Sequence, residues 1–218
     1  MVTPCEGSAS YHRLALTCTA GASIATLAWL ARRVGARDVL AIDHPARAWM
    51  QRRTHKGVRH ALHVAGYAGT APAYLGTTAL AATLVAKRGH VRRAGPLLGA
   101  VIAAVALHTG IKHTVCGTRP PGARARGNTK PSFPSGHTTR ATAVTGTIAY
   151  VLMREDILNA SVAVPLALSI PLTVGVSRAY ADHHWTSDVV GGWGLGMAVA
   201  AACGLWYDVL VRRESPCP

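Results

Sequence analysis

Residues Ser177 to Asp188, Ser-Arg-Ala-Tyr-Ala-Asp-His-His-Trp-Thr-Ser-Asp, put a cation, an imidazole and a carboxylate into one short interval. His184 and Asp188 are four residues apart, so a helix across them sets both side chains on one face and lets the carboxylate grip one ring nitrogen. The other nitrogen is left free. A histidine held in one tautomer, beside a carboxylate that stabilises the imidazolium, can act as a base or as a nucleophile. Arg178 adds a planar fork that suits a phosphoryl group. The same residues would also make a satisfied structural ion pair, and the interval by itself does not choose between the two.

Two other segments carry matching chemistry. Lys112 and Arg119 are seven residues apart, two helical turns, and a helix through both points them the same way before Pro120 and Pro121 turn the chain. Paired cations at the mouth of a bundle suit an anion with several oxygens, although cations at a membrane surface also simply snorkel. Next, Pro134-Ser135-Gly136-His137 stands directly before an apolar helix. Backbone N–H groups at a helix start are unpaired and form a cradle for an oxyanion; Gly136 lets the backbone come close, and His137 sits where a proton donor is useful. As four letters the run also describes an ordinary helix cap. His183 is out of step by one with Arg178 and Asp188, and the spacing of His108 and His113 around Lys112 gives neither a role.

These residues need elements to hold them. Uncharged runs cover residues 14–31, 60–86, 94–111, 141–153, 157–177 and 189–207, and spanning hydrocarbon takes roughly 17–25 residues. Five runs qualify outright, and the fourth does so if His137 to Arg140 form its polar mouth. The expected fold is therefore all-α: a six-transmembrane-helix bundle in one domain, 1–218, with the first apolar run kept as a span. The pattern over 38–50, with Val39, Ile42, Ala46 and Trp49 on one stripe, predicts an amphipathic helix lying on the membrane after the first span, or an ordinary helix packed on the bundle. Residues 60–86 read as one span kinked at Pro72. Lys87, Arg88, Arg92 and Arg93 read as a membrane-surface anchor, and the glycines from Gly191 to Gly196 permit close helix approach. A soluble, Ala-rich bundle is the alternative, since mean hydropathy is only +0.22. Counting crossings brings the segments around Lys112, Ser135 and His184 to the same face.

The net charge of +14 comes from 23 Lys and Arg against 9 Asp and Glu. The cations are dispersed among apolar runs without a nucleic-acid-binding module, so anionic lipid headgroups fit better than nucleic acid. Five scattered cysteines without a C-x-x-C pair speak against a disulfide framework or a zinc site.

Lys112-x6-Arg119-Pro120, Pro134-Ser135-Gly136-His137 and Ser177-Arg178-x5-His184-x3-Asp188 together resemble the three ordered signatures of the type 2 phosphatidic acid phosphatase family, whose core is shared with vanadium haloperoxidases. The resemblance covers residues 112–188 directly, and six spans with an interfacial helix resemble the integral-membrane, bacterial branch. It implies a membrane lipid phosphate phosphatase working through a phosphohistidine. By that resemblance His184 attacks phosphorus, Asp188 orients it, and His137 protonates the leaving group. Lys112, Arg119, Arg178, Ser135 and Gly136 hold the phosphate. Two rivals remain: a haloperoxidase-like protein that binds vanadate, and a non-catalytic lipid-binding membrane protein. Neither oligomeric state nor substrate is legible; phosphatidic acid, phosphatidylglycerol phosphate, a polyprenyl diphosphate and lipid A phosphates all present a terminal phosphoryl group beside an apolar tail. Charge counting puts 14 cations on the site's face and 8 opposite, which read naively is cytoplasmic. The resemblance implies an extracytoplasmic site in a bacterial inner or plasma membrane.

No metal or other cofactor enters this scheme, since three cations occupy the place of a divalent ion and the carboxylates are too scattered to cage one. Phosphate release from a lipid phosphate should persist in EDTA; an absolute requirement for Mg²⁺ would overturn the scheme.

Overall fold

The computed structural model describes residues 4–36, 40–53 and 55–214, and among them all regular structure is helical. The helices are α1 (Pro4–Gly35), α2 (Leu40–Arg53), α3 (Lys56–Ala65), α4 (Ala71–Lys87), α5 (Gly95–Val115), α6 (Pro121–Ala125), α7 (Gly136–Arg154), α8 (Ala160–Tyr180) and α9 (Thr186–Glu214), with 3₁₀ turns at Gly66–Gly69 and Val91–Ala94. Six are long: α1, α4, α5, α7, α8 and α9. They alternate in direction, so the ends of α1, α5 and α8 meet the starts of α4, α7 and α9 at one end of the bundle.

α7 is the axis. Ala141, Ala143, Val144, Thr147 and Val151 are buried along it, and it has no exposed large hydrophobic side chain. The surrounding helices do: Leu14 on α1, Leu80 on α4, Ile102 on α5, Leu168 on α8 and Met197 on α9 all face outward. α7 can be both central and Thr-rich because its hydroxyls bond back into the helix, Thr142 to Thr138 O at 2.8 Å and Thr147 to Ala143 O at 2.7 Å. The glycines of α9 admit it closely. A Cβ at Gly192 would come within 2.9 Å of Ser135 O and one at Gly196 within 2.8 Å of Thr139 O, so the small-residue run serves as its sequence implied.

Among the described residues four helices are long and apolar enough to cross a membrane: Tyr11–Gly35, Val91–Val115, Ala160–Tyr180 and Thr186–Glu214. α4, with 17 residues, and α7, with 19, fall outside that group, so six crossings are not established by length and apolarity. The single kinked span over 60–86 is corrected outright. Gly66–Gly69 forms a 3₁₀ turn and Thr70 is extended at φ −84°, ψ 160°, so Pro72 falls in the first turn of α4. There the missing N–H costs nothing.

α2 occupies the expected place of the interfacial helix, with Arg37, Asp38 and Val39 outside the described residues. Its apolar residues Ile42 and Trp49 are 65% and 46% exposed, whereas Asp43 is 1% exposed. The polar face therefore packs inward and the apolar face looks out.

The far end of the bundle is tied by Glu155, 5% exposed. Its carboxylate accepts from Tyr207 Oη at 2.6 Å, His90 Nδ1 at 2.5 Å and Arg93 Nη1 at 3.2 Å, and its carbonyl accepts from Arg88 at 2.7 Å. Arg93 also holds Glu214 at 2.6 Å. Arg88 and Arg93 are thus directed at protein, not at headgroups. Breaking a buried ionic hub by removing one partner costs roughly 3–5 kcal/mol. Glu155→Ala should lower the melting temperature in detergent by several degrees while the rate per folded molecule holds; an unchanged melting temperature would show that the hub contributes nothing.

Candidate active site

His184 sits between α8 and α9, 6% exposed, on the segment that reverses the chain. Its Nδ1–H donates to Asp188 Oδ2 at 3.1 Å, which fixes the tautomer and leaves Nε2 as a lone pair. That nitrogen lies 3.4 Å from Arg119 Nη1. Asp188, 1% exposed, also accepts from Trp185 N–H at 2.9 Å and from the Ser132 hydroxyl at 3.2 Å, while its carbonyl accepts Ser135 N–H at 2.9 Å. Burial lowers the pKa of His184; Asp188 opposes this, and Arg119 and Lys112 add to it.

The other segments reach the same end of the bundle, but no helix joins Lys112 to Arg119: α5 stops at Val115 and Cys116 turns left-handed at φ 50°, so Arg119 comes from the loop beyond it. Arg119 is anchored on backbone carbonyls, Nε to Lys130 O at 2.9 Å and Nη1 to His183 O at 2.8 Å. Lys112 lies within electrostatic reach of Arg119 and Asp188, and His137 within reach of Arg178, Arg140 and His184. Arg178 donates through Nε to Ser177 Oγ at 3.1 Å. Its guanidinium fills the place where a side chain at Gly66 would stand, and Gly69 leans on His137 in the same way. The 3₁₀ turn is therefore pressed onto the site by two glycines.

Ser135 is the N-cap of α7, and its Oγ accepts from Thr138 Oγ1 at 2.9 Å in place of capping the backbone. The ladder of α7 begins with Thr139 N–H to Ser135 O at 2.9 Å. The N–H groups of Gly136, His137 and Thr138 precede it, as an oxyanion cradle needs. Glycine is required at 136 in this structure because a Cβ would come within 2.8 Å of His108 Nε2 and 3.1 Å of Arg140 Nη1.

Sequence reasoning missed the groups that hold the His184 segment. Arg47 on α2 clamps Asp182 with Nε–Oδ1 at 2.7 Å and Nη2–Oδ2 at 2.8 Å. Asp182, at φ 54°, also accepts Gly122 N–H at 2.9 Å. Burial alone would raise the Asp182 carboxyl, but its bonds and charge contact with Arg47 outweigh that and hold it below the ordinary carboxylate value. Asp43 caps α9 from outside, accepting Ser187 N–H at 2.9 Å and Ser187 Oγ–H at 2.7 Å. Trp185 Nε1–H donates to Thr118 O at 2.8 Å. Only the i,i+4 spacing of Asp43 and Arg47 hinted at a shared face. His183 points away from the pair: burial, then Arg126 and Arg178, push it down to about 4, and its Nδ1 accepts from Arg126 at 3.4 Å. Two cavities adjoin the site, about 360 Å³ beside Asp43, Thr118, Trp185 and Asp188 and about 830 Å³ beside His60, His63, Arg126, Ser177 and His183. Among the described residues no cluster of His, Cys, Asp or Glu could hold a metal ion.

The PAP2 superfamily matches residues 93–212, more than half the chain. Phosphatidylglycerophosphatase B of Bacillus subtilis is 38% identical over 69 residues, which are 30% of this chain and 34% of that protein, so about a third of the relative's length is matched. The crystal structure of a transmembrane PAP2-type phosphatidylglycerolphosphate phosphatase from Bacillus subtilis superposes with a TM-score of 0.78 over 92% of this chain and 99% of that one; at 19% identity it shows the fold.

The direction of the His184 shift has a sign that can be checked. A lowered pKa leaves the ring more than half neutral at the ordinary histidine midpoint of about 6.5. Imidazole nitrogen NMR, assigned by the signal lost in His184→Gln, should report the neutral tautomer protonated at Nδ1 as the major form at pH 6.5; a mostly charged ring there would contradict the geometry.

Proposed function

The chain belongs to the PAP2 superfamily, and from that premise we propose that it is an integral-membrane lipid phosphate phosphatase that removes a terminal phosphoryl group through a phosphohistidine. One observation carries this reading: His184 Nε2 is left unprotonated, with Asp188 aligning the ring from behind and Arg119 Nη1 within 3.4 Å in front. A binding protein has no use for that combination, and a nucleophile needs all of it.

His184 Nε2 attacks phosphorus and the bond to the leaving oxygen breaks. Asp188 stabilises the positive ring as the P–N bond forms. His137 donates its proton to the departing oxygen, then takes one from the entering water, whose oxygen attacks phosphorus. The P–N bond breaks, and inorganic phosphate and neutral His184 result. Lys112, Arg119 and Arg178, with Ser135 and the Gly136 N–H, hold the equatorial oxygens and offset charge in the transition state. The scheme routes no step through a metal. The matched relative is named a phosphatidylglycerophosphatase, which makes phosphatidylglycerol phosphate the first substrate to try.

Six crossings are part of the reading. α4 would run about 26 Å at 1.5 Å per residue and carries outward leucines, and α7 would cross shielded by its neighbours. Residues 1–218 act as one catalytic domain, with α2 at the interface presenting Ile42 and Trp49 to lipid. The site faces the extracytoplasmic side of a bacterial plasma membrane. Six of the 14 cations on its face lie in or beside the phosphate-binding motifs, and without them the tally across the membrane is even.

Purified His184→Ala should release no phosphate from phosphatidylglycerol phosphate in detergent. His137→Ala should retain a rate about 10²–10⁴-fold below wild type, the usual contribution of one acid–base group. Normal hydrolysis by His184→Ala would remove the mechanism.

A further inference from the structure

Arg140 is a cation that neither the three signature segments nor the mechanism above employs. It stands one turn into α7, and its side chain folds back to the helix start, where Nη1 would be 3.1 Å from a Cβ at Gly136. His108 positions it. The ring's Nδ1–H donates to Ala104 O at 2.9 Å, which leaves Nε2 to accept from Arg140 Nη1 at 3.4 Å. Tyr74 on α4 presents its ring face to the guanidinium at 5.5 Å. Among the described residues, Arg140 Nε is the buried side-chain nitrogen or oxygen that lacks a hydrogen-bond partner, and none of the ion pairs there engages Arg140. The fixed charge within its electrostatic reach is like in sign, that of Lys112. A half-buried guanidinium with an aromatic wall, a neutral histidine and no carboxylate is an expensive arrangement in an apolar bundle. An arriving anion would offset that cost.

The charge balance indicates which anion. Lys112, Arg119, Arg178 and Arg140 against Asp188 leave a fixed surplus of three positive charges. A terminal phosphate monoester brings about −1.5 to −2, and the cradle with the first three cations already accommodates it. A second phosphate adds about one more negative charge and closes the balance.

We propose that Arg140, set by His108 and Tyr74, binds a second phosphate adjacent to the one transferred, so that the enzyme selects lipids carrying two phosphates, as a diphosphate or as a monoester beyond a phosphodiester, over lipids carrying one. This rests on the lipid phosphatase reading. Gly136 has a matching part, since a methyl group there would push His108 and Arg140 apart. Arg140 is a specificity residue in this proposal, and His108 is its positioning residue.

The test compares kcat/KM for phosphatidic acid, phosphatidylglycerol phosphate and a polyprenyl diphosphate in one detergent. In Arg140→Met the ratio of each two-phosphate lipid to phosphatidic acid should fall about 10- to 100-fold, the range for losing a hydrogen bond to a charged group, mostly through KM. Arg140→Lys should recover part of it. A fall for phosphatidylglycerol phosphate alone identifies the diester source, and a fall for the diphosphate alone identifies the other. Equal losses on all three lipids, the signature of a structural arginine, would overturn the proposal, as would no loss at all. Binding to the wild type needs no turnover: methylenediphosphonate should raise the melting temperature at concentrations at least tenfold below those at which phosphate does. Equal potency would sink the proposal even if Arg140→Met failed to fold. A wild type inert toward every lipid phosphate yet selective for the diphosphonate would instead count against the phosphatase reading alone.

Discussion

Asp188 is the knot on which the rest of this structure hangs. One oxygen of its carboxylate receives the His184 ring and the Trp185 N–H, the other receives Ser132, and its carbonyl receives Ser135 N–H. The segment before α7, the start of α9 and the loop carrying His184 are thereby joined at a single residue that is 1% exposed. A buried carboxylate is costly unless its lone pairs are filled. Here they are filled by the very groups whose relative positions matter, so desolvation and alignment are one requirement. Phe133, buried in the slot left by Gly191, adds an apolar lock on the same loop.

The polar end of the bundle is stabilised by parts that tolerate it. α7 carries hydroxyls inward without leaving them unsatisfied, because Thr139, Thr142, Thr145 and Thr147 return their protons to a carbonyl one turn back and Thr138 gives its own to Ser135 Oγ. The glycines of α9 then allow the backbones to approach, replacing side-chain burial with close dispersion contact. α2 turns the usual amphipathic logic inside out. Asp43 and Arg47 reach inward to Ser187 and Asp182, while Ile42 and Trp49 look outward. A helix so arranged suits an interface, where its apolar side meets lipid and its polar side meets the site's own loops.

Much of this was legible in the residues. The four-residue step from His184 to Asp188 leads to a direct contact although α9 begins only at Thr186, whereas the seven-residue step from Lys112 to Arg119 is not a helical one, because α5 ends at Val115 and Arg119 comes from the loop beyond it. Uncharged runs located the long helices. The failures have a common cause in long-range partnership. Nothing local to Asp43 or Arg47 says that their partners stand more than 130 positions away, and nothing local to Gly136 says that His108 fills the space behind it. The run over 60–86 failed differently. Apolar character cannot distinguish one kinked helix from two, and the deciding feature was a Gly-x-x-Gly turn drawn in by Arg178 and His137, both distant in sequence.

The partners chosen by the arginines separate those that hold structure from those that hold charge. Arg119 donates to carbonyls of Lys130, Pro131 and His183, and Arg126 to those of Ala181 and Asp182. A carbonyl satisfies the N–H without neutralising the cation, so the positive potential remains available to draw in a phosphoryl group. Away from the phosphate-facing cations carboxylates are used as partners too: Arg47 on Asp182, and Arg93 on Glu155 and Glu214 at the far end. Had Arg119 been held by a carboxylate it would be equally rigid and electrostatically spent. The scarcity of acidic residues, 9 against 23 basic ones, is therefore part of the site's design. The bundle keeps its cations in place with backbone oxygens and reserves their charge for an anion from outside.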